Sequence, residues 1–195
     1  ELFNILLEKV ECIIAGGGLA NTFLKAAGYE IGNSMYEEMF IDSAKKIIEK
    51  VKSLKTTLIL PTDVRVSSDI TQEQNSRIVK LSHISSDDII LDFGPETMRI
   101  IGKEINAANK ILWNGPLGVF EKDAFSYGTR SLAELIKDAP GYTIAGGGDT
   151  IAAINKFIDV DMVDYVSTGG GAFMEFFEKN GNIPAIEALN PEFCA

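Results

Sequence analysis

The stretch YTIAGGGDT (142–150) reads as a short buried strand that breaks on three glycines and restarts at once as a helix. Its apolar residues run together without polar alternation, as in a strand covered on both faces, and that is the habit of parallel sheets. Working outward, the same construction recurs along the chain. Apolar runs at 12–15, 57–60, 89–93, 110–113 and 163–166 each end on a turn. Those turns are Gly16-Gly17-Gly18, Pro61-Thr62-Asp63, Gly94-Pro95, Asn114-Gly115-Pro116 and Ser167-Thr168-Gly169-Gly170-Gly171. Between them lie segments of helical period. The clearest is 35–52, where Tyr36, Phe40, Ala44, Ile47, Ile48 and Val51 form one stripe. Ser34 followed by Glu37 predicts a capping box at its start. Weaker helical patterns fill 96–107, 128–137, 149–157 and 172–178. Strands alternating with helices predict a doubly wound, Rossmann-like α/β fold with a six-stranded parallel sheet and helices on both faces. The polar stretch 62–88 reads as a long surface excursion.

The bulk properties fit one soluble domain. At 195 residues, 46% hydrophobic and 24% charged, the chain can bury a sizeable core and is unlike a disordered segment. A net charge of −10 opposes a phosphate backbone, so nucleic acid is not an expected partner. No apolar run reaches the roughly 18 residues that a membrane span requires, and no signal peptide is visible. Cys12 lies in an apolar run and Cys194 in a polar tail. They form neither a disulfide framework nor a metal-ligand spacing, which fits a reducing cytoplasm. The first residue is Glu, and 1–10 already has helical spacing through Leu2, Leu6 and Val10. The expectation is a chain cut from a longer one, with a domain over 1–189 and a tail over 190–195.

In open parallel sheets, ligands bind beyond the carboxyl ends of the strands. Three Gly-Gly-Gly runs hold 9 of the 18 glycines, and all three stand between a strand and a helix. Glycine lets successive amides point at an anion, and the helix that follows adds the positive end of its dipole. One such turn serves tight packing equally well; three at one edge point to a phosphorylated ligand. No Gly-Lys-Ser/Thr follows 146–148, so this is no Walker A loop. Asn21 stands where a dinucleotide fingerprint needs its third glycine, which weakens a dehydrogenase reading. Asp149 either caps its helix or, beside phosphates, holds Mg²⁺.

Four segments together, IIAGGGLANTFLKAAG (13–28), ILWNGPLGVFE (111–121), AGGGDTIAA (145–153) and STGGGAFMEF (167–176), resemble phosphoglycerate kinase of the bacterial type. The resemblance covers the chain to about Leu189 and implies the carboxyl-terminal, nucleotide-binding domain. It implies Mg-ADP or Mg-ATP as ligand, with phosphoryl transfer in glycolysis between 1,3-bisphosphoglycerate and ADP. An absent amino-terminal domain would carry 3-phosphoglycerate, so the chain alone is expected to be an inactive monomer.

By that resemblance Gly16 and Gly17 lie against the adenine, Leu91 forms the apolar side of its pocket, and Asn114 and Pro116 shape the groove. Glu121 takes the ribose hydroxyls. Gly147, Gly148, Asp149 and Thr150 receive the phosphates, with Asp149 the Mg²⁺ ligand. Amides at Gly169, Gly170 and Gly171 face the transferring group, and Gly148 and Gly171 are the candidate catalytic amides. The family's phosphate-contacting lysines fall outside this sequence, and Ile90 replaces a glycine of the pattern beside the adenine pocket. Trp113 and Lys25 read as structural, Asp63 and Arg65 as loop organisers, and His83 as a loop residue without catalytic company. The alternative is a stand-alone, non-catalytic nucleotide-binding module.

Overall fold

The computed structural model describes residues 2–179. The helix expected over 1–10 is short, α1 (Leu2–Leu6), and is followed by β1 (Cys12–Ile14). β1 pairs in parallel with β2 (Thr57–Ile59), with Ile13 opposite Leu58. A second parallel sheet has the order β6 (Lys110–Trp113), β7 (Tyr142–Gly146), β8 (Tyr165–Ser167). Five of the six expected strands are therefore parallel, but they form two sheets. No ladder joins β1 to β6 among the described residues.

The sixth expected strand corrects the sequence reading. β5 (Ile89–Phe93) belongs to a separate antiparallel sheet, of order β4-β3-β5, with β3 (Asp63–Ser67) and β4 (Arg77–Lys80). These two strands occupy the stretch that read as a surface excursion. In β3 the polar residues alternate with Val64 and Val66, both fully buried in a second core cluster with Leu24, Ile31, Leu81 and Ile84. An apolar run such as Ile89–Phe93 is equally suited to either strand direction, because direction is set by the partners and not by the run.

Helices fill the connections: α2 (Gly17–Ala26), α3 (Ile41–Ser53), α4 (Pro95–Ala107), α5 (Tyr127–Lys137), α6 (Gly148–Phe157) and α7 (Gly171–Glu178). α2 packs on α3, α4 on α5, and α5 on α6. The main core gathers Phe23, Ile59, Ile101, Trp113, Ile136, Ala145 and Ile154 from both parallel sheets and their helices. The expected capping box does not form. Ser34 donates to the carbonyl of Ile31 and accepts from the amide of Ile90 at 2.8 Å, so its hydroxyl is spent on the β5 edge. A 3-10 turn, Glu38–Phe40, comes first, and α3 starts at Ile41. No helix among the described residues is long and apolar enough to cross a membrane. The tail from 180 onward, with Cys194, lies outside the described residues.

Asp63 and Arg65, expected to organise a loop, both lie in β3: Arg65 donates to the Ser76 hydroxyl at 3.1 Å, and Asp63 caps a distant helix. Its buried carboxylate accepts the amides of Glu96 (3.1 Å) and Thr97 (2.7 Å) and the Thr97 hydroxyl (2.6 Å) at the start of α4. Pro95 at the first helical position needs no such partner. Asp63→Ala would orphan the buried Thr97 amide and leave the Glu96 amide to solvent, while the Thr97 hydroxyl keeps the Asp63 backbone carbonyl at 2.9 Å. It should lower stability by roughly 2 kcal/mol in a urea titration, with an unchanged m-value.

Candidate functional site

The glycine-rich turns following β1, β6, β7 and β8 meet along one edge, because the strands of each parallel sheet end in the same direction. Gly16 adjoins the turn after β6: a Cβ there would come within 2.8 Å of Leu117 and 3.2 Å of the Pro116 carbonyl. The amide of Gly17 donates to the Leu117 carbonyl at 3.3 Å. Asn114 donates its side-chain amide to the Gly146 carbonyl at 2.7 Å, and the Gly115 amide donates to the Thr150 hydroxyl oxygen at 2.7 Å. The Phe173 ring, from α7, packs on Gly146, leaving no room for a side chain there. Gly146 and Ser167 are register partners, so the third glycine run begins just beyond. Gly16, Gly17, Asn114, Pro116, Gly147, Gly148, Asp149, Thr150, Gly169, Gly170 and Gly171 thus share one ledge.

The chemistry of the ledge is that of backbone amides. α6 begins after Gly147, held at φ 100°, and no side chain caps it. Its first N–H groups therefore lack intrahelical acceptors, as at any helix start. A Cβ on Gly148 or on Gly171 would meet nothing within 4 Å, so both positions face open space. Asp149 is exposed in the first turn and makes no capping bond, which leaves its carboxylate available. Thr150 differs: it is fully buried, and its hydroxyl oxygen is committed to Gly115. Among the described residues no group of three or more His, Cys, Asp and Glu side chains could hold a metal.

Two expected residues lie apart from the ledge proper. Leu91 is buried, and its carbonyl accepts the Val119 amide at 2.9 Å, so it supports the turn that carries Glu121. Glu121 is exposed on that turn. The half-buried Ile90 packs into the second core cluster. His83 is exposed, and Lys25 sits above the Tyr36 ring at 5.8 Å. Trp113 is a core residue whose indole donates to the Gly115 carbonyl at 2.8 Å.

Three residues that the sequence did not single out hold this region in place. Thr129, at the start of α5, accepts the amides of Leu117 (3.1 Å) and Gly118 (3.3 Å). Lys156, near the end of α6, binds the carbonyls of Phe120 (2.9 Å) and Glu121 (3.2 Å) and the carboxylate of Asp123 (3.1 Å). Asp92 is the third. One of its oxygens accepts the Gly128 amide at 2.8 Å, while Oδ1, packed against Gly118, has no partner. Burial pushes its carboxyl up to about 7, against the pull of the Gly128 amide and of Arg65 opposite it in the sheet. No local pattern announces these residues, since each works through a partner 11 to 36 positions away. The Cys12 thiol is also pushed up, to about 11, by burial and by Glu104, which suits an unreactive core cysteine.

The family model described as phosphoglycerate kinase matches residues 1–180. Phosphoglycerate kinases of Francisella tularensis subsp. holarctica and Francisella philomiragia are each 48% identical over 189 residues, or 97% of this chain and 48% of theirs. The phosphoglycerate kinase structure from Coxiella burnetii superposes with a TM-score of 0.92 at 46% identity, covering 96% of this chain and 48% of that one. The enzyme from Pyrococcus horikoshii OT3 gives a TM-score of 0.80 at 27% identity, over 96% and 47%. The chain spans about half the length of the relatives it matches.

Proposed function

The chain belongs to the phosphoglycerate kinase family, and from that premise we propose that it is the nucleotide-binding half of such a kinase, taking Mg-ADP or Mg-ATP on the glycine ledge. The observation that carries this reading is the uncapped start of α6 beside an exposed, uncommitted Asp149. The diphosphate lies over the amides of Gly147, Gly148, Asp149 and Thr150. Amides of Gly169–Gly171 face the transferring phosphoryl group, with Gly148 and Gly171 nearest the reacting atoms. Adenine lies against Gly16 and Gly17, with Asn114 and Pro116 shaping the groove and Leu91 backing it. Glu121 reaches the ribose.

The exposed Asp149 carboxylate beside the uncapped amides of α6 would hold Mg²⁺, which takes its remaining oxygens from phosphate and water, so the residues present fit that ion. When bound, Mg²⁺ supplies neutralisation of phosphate charge. The chain's own part is positioning: amides fixed by the strand ends direct partial positive charge at the oxygens that gain charge in transfer. 1,3-Bisphosphoglycerate would be the phosphoryl donor to ADP, with 3-phosphoglycerate and ATP as products of this glycolytic step. The carboxylic substrate would sit on the other half of the enzyme, and this chain is inactive without it. The chain is proposed to act in the cytoplasm, as a monomer apart from that half.

Calorimetry should show one saturable Mg-ADP site. Asp149→Ala should weaken it about tenfold, ~1.4 kcal/mol, with the deficit vanishing when Mg²⁺ is omitted for both proteins. A folded chain that binds no Mg-ADP would refute the assignment. Adding the amino-terminal half of a relative should restore phosphoryl transfer; a stand-alone binding module would gain none.

A further inference from the structure

The ammonium of Lys156 has three N–H donors, and the structure assigns each an acceptor: the carbonyls of Phe120 and Glu121 and the carboxylate of Asp123. With its donors spent, Lys156 is not a spare cation for a phosphate. It is a strap. The same junction is closed by rings: Phe120 packs edge-on against Phe157 at 6.4 Å and 70°, and the Lys156 ammonium lies 5.5 Å from the Phe157 centroid. Glu121 itself supplies one of the strapped carbonyls, with the other just before it at Phe120 and the Asp123 carboxylate two residues after it. Its own carboxylate makes no hydrogen bond or ion pair among the described residues, so the strap fixes its backbone and leaves its side chain free to reach outward.

Lys156 lies on the helix whose first turn carries Asp149, seven residues earlier. Seven residues of α-helix span about 10 Å, a length comparable with the distance from the phosphate end of an extended nucleoside diphosphate to its sugar. Resting on the nucleotide-site reading above, we infer that Lys156 is a positioning residue: it fixes the 120–123 turn to the far end of α6 and so sets the reach of Glu121 to the ribose hydroxyls of a nucleoside diphosphate. One rigid rod then gauges both ends of the ligand. The phosphates meet its amino end, and the sugar meets a turn tied to its carboxyl end.

Calorimetry of the full chain with Mg²⁺ should compare ADP with 2′,3′-dideoxy-ADP on the parent, Lys156→Met and Lys156→Arg. Lys156→Met should bind ADP about fivefold more weakly, ~1 kcal/mol, and dideoxy-ADP as the parent does. Lys156→Arg should recover most of the ADP affinity. Amide hydrogen exchange in the ligand-free protein should quicken at 121–123 in Lys156→Met and not in α6. Equal ADP affinity in parent and Lys156→Met overturns the strap while leaving the nucleotide site standing, as does equal weakening for both nucleotides. A parent that binds neither nucleotide overturns the site itself, and the strap with it, whatever the exchange rates show.

Discussion

Between about pH 4 and pH 7 the chain should lose stability as the pH rises, and Asp92→Asn should remove most of that loss. The sign follows from the direction of the perturbation. Burial holds the Asp92 carboxyl protonated in the fold up to about 7, whereas the ordinary value is 3.8. Between those values the native state keeps a proton that the unfolded chain has released, so folding is favoured at the acid end of the window and disfavoured at the alkaline end. A rise from 3.8 to about 7 is worth roughly 4 kcal/mol at ~1.36 kcal/mol per pH unit. Asp69 and Asp164 shift the other way, through bonds from Thr71 and Thr143 respectively; Asp164 is exposed and Asp69 partly so. Their stabilisation fades only as the pH falls through the lower values, so it does not mask the Asp92 window. Urea titrations at pH 5, 6, 7 and 8 should show a decline for the parent and a nearly flat line for Asp92→Asn. Asparagine can still accept the Gly128 amide, but its own NH₂ gains no acceptor beside Gly118, a cost of about 1–3 kcal/mol. The variant should therefore start below the parent at pH 5 and draw level or pass it by pH 8. Parallel lines would show that Asp92 ionises normally.

Asp92 also marks where the sequence stops being legible. Its run, Ile89–Phe93, is visibly a strand, and the Gly94-Pro95 break after it visibly starts a helix. What the run does not encode is direction. β5 lies beside β3, whose alternating Val64 and Val66 have a core of their own. A reading based on unbroken apolar runs passes over such a strand, because three of its five residues are polar and it lies among turns. The helices were easier, since an apolar stripe and a glycine or proline boundary are local features. α4, α5, α6 and α7 begin one residue before the positions that the pattern gives. α3 starts six residues late for a non-local reason: Ser34, its expected cap, is held by β5.

The ledge was legible for the same reason as the helices. A glycine run between strand and helix is a local signal, and the two parallel sheets bring these turns to one edge. The supports were not. Thr129, Lys156 and Asp92 act on turns 11 to 36 residues away, and nothing in their neighbourhoods distinguishes them from any helix threonine, helix lysine or strand aspartate. Local composition therefore reveals which glycine turns meet on the ledge, while the distances between their amides are fixed by contacts that only the fold creates.

That division gives the largest expected effect on binding. Gly147→Val should abolish measurable Mg-ADP binding, a loss of at least about a hundredfold, whereas Gly148→Ala should weaken binding with almost no change in stability. Gly147 has φ 100°, where a β-branched residue is strained by about 1–3 kcal/mol. A Cβ there would also lie 2.9 Å from the Asn114 side-chain nitrogen. Asn114 would have to release the Gly146 carbonyl, and the tie between the turns after β6 and β7 would open. Thr150, whose oxygen holds the Gly115 amide, lies at an ordinary contact distance of 3.5 Å from the same Cβ, so the crowding falls on Asn114. The amides of Gly148–Thr150 would then no longer converge. Gly148 is the control, being the first residue of α6 with nothing within 4 Å of its would-be Cβ. A methyl there gains helix propensity and meets only what occupies the ledge. Denaturation and calorimetry on the two variants separate the cases. If Gly148→Ala binds Mg-ADP as tightly as the parent while Gly147→Val loses binding only in proportion to its unfolded fraction, the phosphates do not lie on the start of α6.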